Sequence, residues 1–106
     1  MNKISLLFSG RGSNAYSILK LVIENKLNFK INKIICNNKD ATGIKKIIKL
    51  NLDVIIIDKK LYNDNVKYSS DLLSILNPEK DDLLLLCGYM NKISCSIIDA
   101  YNGNVV

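Results

Sequence analysis

The 106-residue chain contains no histidine and no tryptophan, one proline, and a single arginine, Arg11, among its 15 basic residues. Without histidine the chain has no Ser-His or Cys-His nucleophile pair and no imidazole metal ligand. Its three cysteines are an odd number without a C-x-x-C pair, which predicts reduced thiols, mostly in the core, rather than a disulfide framework or a zinc cluster. We therefore expect no metal centre.

The chain also lacks long apolar runs and charge-rich tracts. No run approaches the roughly 20 residues of a membrane-spanning helix, and the first residues do not form a secretory leader, so we expect a cytoplasmic protein without membrane contact. The lysines behind the net charge of +5 fall mainly on exposed faces of predicted helices, and no basic stripe is interleaved with aromatic residues, which argues against a nucleic-acid partner. Length and the 48% apolar content predict one globular domain, residues 1–106.

What the sequence does contain is a regular alternation of short apolar runs with segments of helical spacing. The apolar runs predict strands at 4–8, 31–36, 54–57 and 83–87, with the third strand buried on both faces because it is rich in β-branched residues. The helical spacing predicts helices over 15–27 and 44–48, one ending at Asn77-Pro78, and a short one between Ser94 and Gly103. This order predicts an α/β fold, a Rossmann-like open parallel sheet with helices on both faces, whose truncated fifth strand begins at 104–106.

The loop after the first strand, residues 9–14, reads Ser-Gly-Arg-Gly-Ser-Asn. Ligands of such sheets bind at the carboxyl ends of the strands, where the strand order reverses. Gly10 and Gly12 allow a sharp turn and close approach of a ligand, and a helix that starts near Ser13 directs unpaired N–H groups to the same place. The loop therefore predicts a phosphate site, although a tight strand-to-helix turn also favours these residues for structural reasons alone.

With Ala15 the same loop matches G-x-G-x-x-A, the dinucleotide fingerprint. That interpretation requires an acidic residue at the end of the second strand, where this chain has Cys36-Asn37-Asn38, and Asp40 comes later, in the turn into the next helix. A non-catalytic nucleotide- or dinucleotide-binding module therefore stays an alternative interpretation of this loop.

The loop after the fourth strand carries Tyr89 and Met90. An aromatic ring and a thioether at this edge suit a pocket for a flat ring system. From the residues alone, the simpler interpretation that both cover the end of the sheet is favoured.

Three segments together give the chain a family resemblance: residues 9–14 after the first strand, Asn37 with Asp40-Ala41 and Gly43 after the second, and Gly88-Tyr89-Met90 after the fourth. In these the chain resembles the N-terminal half of phosphoribosylglycinamide formyltransferases, the folate-dependent enzymes of purine synthesis. The resemblance runs from the first strand to about Gly103. It implies formyl transfer from 10-formyltetrahydrofolate, as co-substrate, to glycinamide ribonucleotide, without a metal.

The resemblance also implies site residues. Gly12, Ser13 and Asn14 would hold the phosphate of glycinamide ribonucleotide. The folate pocket would be lined by the following residues: Leu86, Met90, Asn91, Lys92 and Ile93.

The sequence departs from the family pattern around this pocket. Asn91 stands where the family often has arginine, Lys92 where it has an apolar residue, and Cys95 where it has proline. An arginine that meets the folate is replaced by Asn65, with Lys67 nearby.

The family's catalytic Asn-x-His segment and the later aspartate would fall beyond Val106. We therefore expect no catalytic residue in the chain and no turnover by the chain alone, which would be either a fragment missing its C-terminal half or a degraded gene product. A decayed remnant would be unstable, because the sheet edge beside the missing fifth strand would stay open.

Overall fold

The computed structural model describes residues 2–106, over which strands and helices alternate as expected. The elements are β1 (Lys3–Phe8), α1 (Ser13–Ile23), β2 (Lys30–Cys36), α2 (Gly43–Ile48), β3 (Ile55–Ile56), α3 (Asn65–Leu76), β4 (Leu83–Cys87) and α4 (Cys95–Ala100). A 3-10 helix, Lys59–Leu61, lies between β3 and α3.

All four strands form one parallel sheet in the order β3-β2-β1-β4. Beyond β4, Val105 forms a parallel bridge with Leu84, and the Val106 amide donates to the Leu84 carbonyl at 2.9 Å. The Leu86 amide in turn donates to the Val106 carbonyl at 2.7 Å. The predicted start of a fifth strand is therefore confirmed, and it lies beside β4.

Helices cover both faces of the sheet, as predicted. One core lies under α1 and α2 and contains Leu6, Phe8 and Leu19, all without exposed surface. The other lies under α3 and α4 and contains Leu7, with no exposed surface, and Tyr101, which is 2% exposed. Neighbouring residues of β1 thus enter opposite cores, because successive side chains of a strand point to opposite faces.

Two predicted elements are shorter than the sequence suggested. Helix α1 ends at Ile23, since Asn25 adopts a left-handed conformation with φ of 59°, so Leu27 lies in the following turn. Strand β3 has only two residues and forms the edge of the sheet, where Ile56 is 45% exposed. The prediction that the third strand is buried on both faces is therefore wrong, since an edge position leaves part of it uncovered.

The helix ends follow the sequence signals in most respects. Helix α3 stops before Asn77, which takes a left-handed conformation with φ of 41°, followed by Pro78 as predicted. Ser94 is the N-cap residue of α4, but its hydroxyl lies 2.9 Å from the Ser96 hydroxyl and does not cap the helix.

None of the helices within residues 2–106 combines the length and the apolar character that crossing a membrane requires.

Candidate functional site

The crevice for a ligand lies where the strand order reverses, between the ends of β1 and β4. From β1 the chain continues to β2 and β3 on one side, and β4 then returns to the other side of β1. The loops that follow β1 and β4 lead to helices on opposite faces of the sheet, which is the arrangement that places ligand sites in open parallel sheets. Both loops that the sequence singles out meet at this point.

The loop after β1 ends at Gly12, the N-cap residue of α1. Gly12 has φ of 66° and ψ of 21°, a left-handed conformation that glycine adopts without strain. Its carbonyl accepts from the Tyr16 amide at 2.7 Å, the first bond of the helix. Ser13 and Asn14, the next two residues, are exposed.

The amides of the first helical turn have no acceptor. Within residues 2–106, no protein hydrogen bond uses the N–H groups of residues 13, 14 and 15, and no acidic side chain lies in that turn. Unpaired N–H groups and the positive end of the helix dipole attract an anion. Ser13 and Asn14 are exposed whereas Gly12 and Ala15 are buried, so an anion would approach this corner from the side of Ser13 and Asn14.

The shape of this loop depends on two close contacts below it. A Cβ atom on Gly12 would lie 3.1 Å from the Cα of Gly43, and 3.4 Å from ring atoms of Phe8. A Cβ atom on Gly43 would lie 2.6 Å from the Arg11 carbonyl oxygen. The Gly43 amide also donates to the Gly10 carbonyl at 3.1 Å. The start of α2 therefore supports the loop by direct backbone contact.

The loop after β4 is tied to the loop after β1 by one hydrogen bond. The Met90 amide donates to the Ser9 hydroxyl oxygen at 2.8 Å, and Ser9 is buried. Beside this bond lies a pocket of about 530 Å³. It is lined by Lys59, Asn65, Tyr68, Ser69, Met90, Asn91, Lys92, Ile93, Ser94 and Cys95.

Four of the five residues expected in a folate pocket, 90–93, thus line one pocket. The structure does not bring Leu86 to it. Leu86 borders a smaller pocket of about 290 Å³ together with Asn14 and Val106. Met90 is 80% exposed and does not cover the end of the sheet, whereas Tyr89 packs against the core under α3 and α4.

Two tyrosines hold the pocket wall in place. The hydroxyls of Tyr68 in α3 and Tyr89 after β4 lie 2.6 Å apart. Burial, with the neighbouring Tyr89 as a further cause, raises the pKa of Tyr68 far above its ordinary value, and burial also raises the pKa of Tyr89. Both phenols therefore stay neutral at physiological pH and can share a hydrogen bond, which joins α3 to the loop that carries residues 90–93.

The lining of the pocket contains Lys92, as the resemblance implied, but not Lys67. Lys67 is exposed, and its Nζ forms an ion pair with Asp71 at 2.9 Å. Lys59, which sequence analysis missed, is the second lysine of that lining. Its position directly after the third strand, at the carboxyl edge of the sheet, was the signal that could have identified it.

The other reactive groups near the crevice offer no further chemistry. Burial raises the pKa of the Cys36 and Cys87 thiols, which disfavours a nucleophilic thiolate. All three cysteines are free, as predicted, and only Cys95 is exposed. In the part of the chain that the structure describes, no three metal-ligating side chains come together.

The fold and the crevice define a class: parallel α/β proteins with a helix start at the point where the strand order reverses. The chain belongs to the formyl transferase family, whose family model matches residues 2–106.

Two relatives show how the chain compares with whole proteins. Phosphoribosylglycinamide formyltransferase of Bacillus subtilis is 23% identical over 106 residues, which cover all of this chain and 54% of that protein. The human trifunctional purine biosynthetic protein adenosine-3 is 25% identical over 104 residues, 98% of this chain and 10% of that protein.

Solved structures show the same fold. Phosphoribosylglycinamide formyltransferase from Campylobacter jejuni superposes with a TM-score of 0.80 at 30% identity, covering 94% of this chain and 54% of that one. The corresponding structure from Brucella melitensis gives a TM-score of 0.88 at 22% identity, covering 98% and 54%. The chain spans about half the length of these bacterial relatives.

Proposed function

We propose that this chain is the substrate-binding part of a phosphoribosylglycinamide formyltransferase. In this proposal Gly12, Ser13 and Asn14 hold the phosphate of glycinamide ribonucleotide, and the pocket at residues 90–93 holds 10-formyltetrahydrofolate. The observation that carries the proposal is the set of unpaired amides at the start of α1. The loop that leads to this helix start is joined to the loop that lines the pocket by the hydrogen bond from the Met90 amide to the Ser9 hydroxyl.

The reaction sets requirements on the site. The substrate amine attacks the formyl carbon, and the carbonyl oxygen becomes an oxyanion in the tetrahedral intermediate. The bond to N10 of the folate then breaks, and the amine proton passes to N10. A site must therefore stabilise an oxyanion and transfer a proton.

These 106 residues offer no histidine for that proton, and the tyrosines beside the pocket are neutral, with raised pKa values. We infer that the oxyanion and proton-transfer groups belong to polypeptide outside residues 1–106, in the half of the relatives that this chain does not match. The pairing of Val105 with Leu84 supports this, because it gives a further strand a place beside β4.

Binding of glycinamide ribonucleotide tests the phosphate site. Isothermal titration calorimetry of the chain should show saturable binding, and Gly12→Val should weaken it at least tenfold, about 1.4 kcal/mol. The reason is twofold, since valine is strained at φ of 66° and its side chain would meet Gly43 and Phe8.

Gly103→Val is the matched control for backbone strain. Gly103 has φ of 81° with open space around it, and it lies in the turn after α4. This variant should lose stability but keep the affinity for glycinamide ribonucleotide. Unchanged affinity in Gly12→Val would contradict the phosphate site.

A turnover assay tests whether the catalytic groups lie outside this chain. The purified chain, given glycinamide ribonucleotide and 10-formyltetrahydrofolate, should release tetrahydrofolate no faster than the mixture without protein, as followed by absorbance. Calorimetry on the same sample shows that the protein binds its substrate and is therefore folded. Turnover at an ordinary enzyme rate would show that the chain carries its own catalytic groups.

A further inference from the structure

The residues around the pocket at 90–93 differ in whether they carry a positive charge that is free to bind a ligand. Asn65, in the first turn of α3, lines the pocket without a charge. Lys67, two positions on, is held by Asp71, whose other carboxylate oxygen accepts from the Tyr62 hydroxyl at 2.7 Å. A carboxylate-bearing ligand would therefore find its cation among the two lysines that line the pocket, Lys59 and Lys92.

Lys59 is placed to supply that cation. It begins the 3-10 helix after β3, and its amide donates to the Asn37 carbonyl at 3.1 Å, which fixes its backbone to the end of β2. The Asp58 carboxylate accepts from the next amide, of Lys60, at 3.0 Å and caps the 3-10 helix. The backbone that carries Lys59 is therefore well supported.

The side chain of Lys59 is positioned as well. Its Nζ lies 5.3 Å from the ring centroid of Tyr68, a cation–π contact, and the residue is half-buried. The ion pairs found within residues 2–106 do not include Lys59. An ammonium held against a ring and without a carboxylate partner can take one from a ligand with little further loss of side-chain freedom.

Lys59 also lies where two cavities meet. Besides the pocket of about 530 Å³ it borders a cleft of about 400 Å³ that includes Gly10 and Asn38, and both cavities contain Met90 and Asn91. A ligand in the pocket would therefore meet Lys59 at the boundary between the two. Lys92, the other lysine of the pocket, is exposed in the loop before α4 and has no comparable support.

We propose that Lys59 is the residue that binds the carboxylate of the folate co-substrate in this chain. This inference rests on the proposed function, because it assumes that the ligand of the pocket is a folate. It adds a binding residue at a different element of the fold, the 3-10 helix after β3.

The test measures binding of 5-formyltetrahydrofolate, a stable reduced folate with two carboxylates, to the full chain by calorimetry. Lys59→Met should weaken binding about tenfold, whereas Lys67→Met, which removes the same charge from an exposed position, should change it less than twofold. A second probe, 6-hydroxymethylpterin, carries no carboxylate and should bind the native chain and Lys59→Met equally. Raising the salt concentration should weaken folate binding to the native chain more than to Lys59→Met.

The outcomes separate the two proposals. Equal folate affinity in the native chain and Lys59→Met would overturn the role of Lys59 and leave the folate pocket intact. A loss confined to a Lys92→Met or Lys67→Met variant would assign the carboxylate to that lysine and overturn it likewise. If the native chain binds glycinamide ribonucleotide but neither folate nor pterin, the folate part of the proposed function fails, and the role of Lys59 fails with it.

Discussion

Replacing Gly43 with alanine will lower the free energy of unfolding by about 3 kcal/mol, the upper part of the range for overpacked sites. The new methyl group would lie 2.6 Å from the Arg11 carbonyl oxygen and 2.8 Å from the Cα of Gly12. These are backbone atoms, which cannot turn away as the end of a flexible side chain can. Either the loop or helix α2 must move, and the hydrogen bond from the Gly43 amide to Gly10 will be lost or lengthened.

The same change will weaken binding of glycinamide ribonucleotide, because it displaces the loop whose amides are proposed to hold the phosphate. Urea unfolding measures the stability, and calorimetry below the transition measures the affinity. Gly10→Ala is the matched control, since a Cβ atom there meets nothing within 4 Å and its φ is not positive. A stability loss in Gly43→Ala no larger than in Gly10→Ala would show that α2 does not support the loop.

The sequence shows that a glycine stands at position 43, but it does not show the structural reason. The glycine after the second strand contributes to the family resemblance, but its reason is a contact with a loop 31 residues earlier in the chain. The spacing of apolar residues indicates which face of a helix is buried, but it does not give the distance between two backbones. That distance requires the packed structure.

The order and type of the elements could be predicted because each depends on local patterns. Short apolar runs, helical spacing and the signal at Asn77-Pro78 all act within a few residues, and the structure confirms the alternation they predict. The parallel sheet then follows from the handedness and length of the connections. The phosphate loop is recognisable for the same reason, since its glycines and the helix start are adjacent in sequence.

The errors in the bounds and burial of the elements arose where position in the sheet, or the conformation of a single residue, decides the outcome. A run such as 54–57 reads as a fully buried strand, but β3 lies at the edge and only Ile57 is well buried, at 5% exposure. The end of α1 was misplaced because Asn25 stops the helix through its left-handed conformation, a signal that the apolar spacing of Leu27 concealed.

The contacts that shape the pocket could not be predicted at all. The bond from Met90 to Ser9 joins residues 81 positions apart, and that between Tyr68 and Tyr89 joins residues 21 apart. The placement of Lys59 over Tyr68 similarly depends on how the 3-10 helix packs against α3. Sequence motifs identify the loops that meet at the crevice, whereas the side chains that link them become apparent only in the folded chain.

Phe8→Ala should be the most destabilising of the proposed changes, at about 3–5 kcal/mol, the range for truncating a buried aromatic residue. Phe8 has no exposed surface, ends β1, and pairs in register with Cys36 on one side and Cys87 on the other. Its ring also lies directly under Gly12, with two ring atoms 3.4 Å from the position of a Cβ there. The cavity would therefore open beneath the phosphate loop.

The expected effect on substrate binding distinguishes Phe8 from Leu19, another buried residue of the same core. Leu19→Ala removes an equally buried side chain from the same core, in the second turn of α1. It should also be destabilising, by about 2–5 kcal/mol, but the folded variant should keep its affinity for glycinamide ribonucleotide. Phe8→Ala should lose both stability and affinity.

If Phe8→Ala does not fold, Phe8→Leu keeps the experiment decisive, since the smaller loss of volume leaves a folded protein whose affinity can be measured by calorimetry. Full affinity in Phe8→Leu would mean that the loop keeps its shape without the ring below it. The support of the phosphate site would then be sought in the contact with Gly43, whose Cα lies 3.1 Å from the position of a Cβ atom on Gly12.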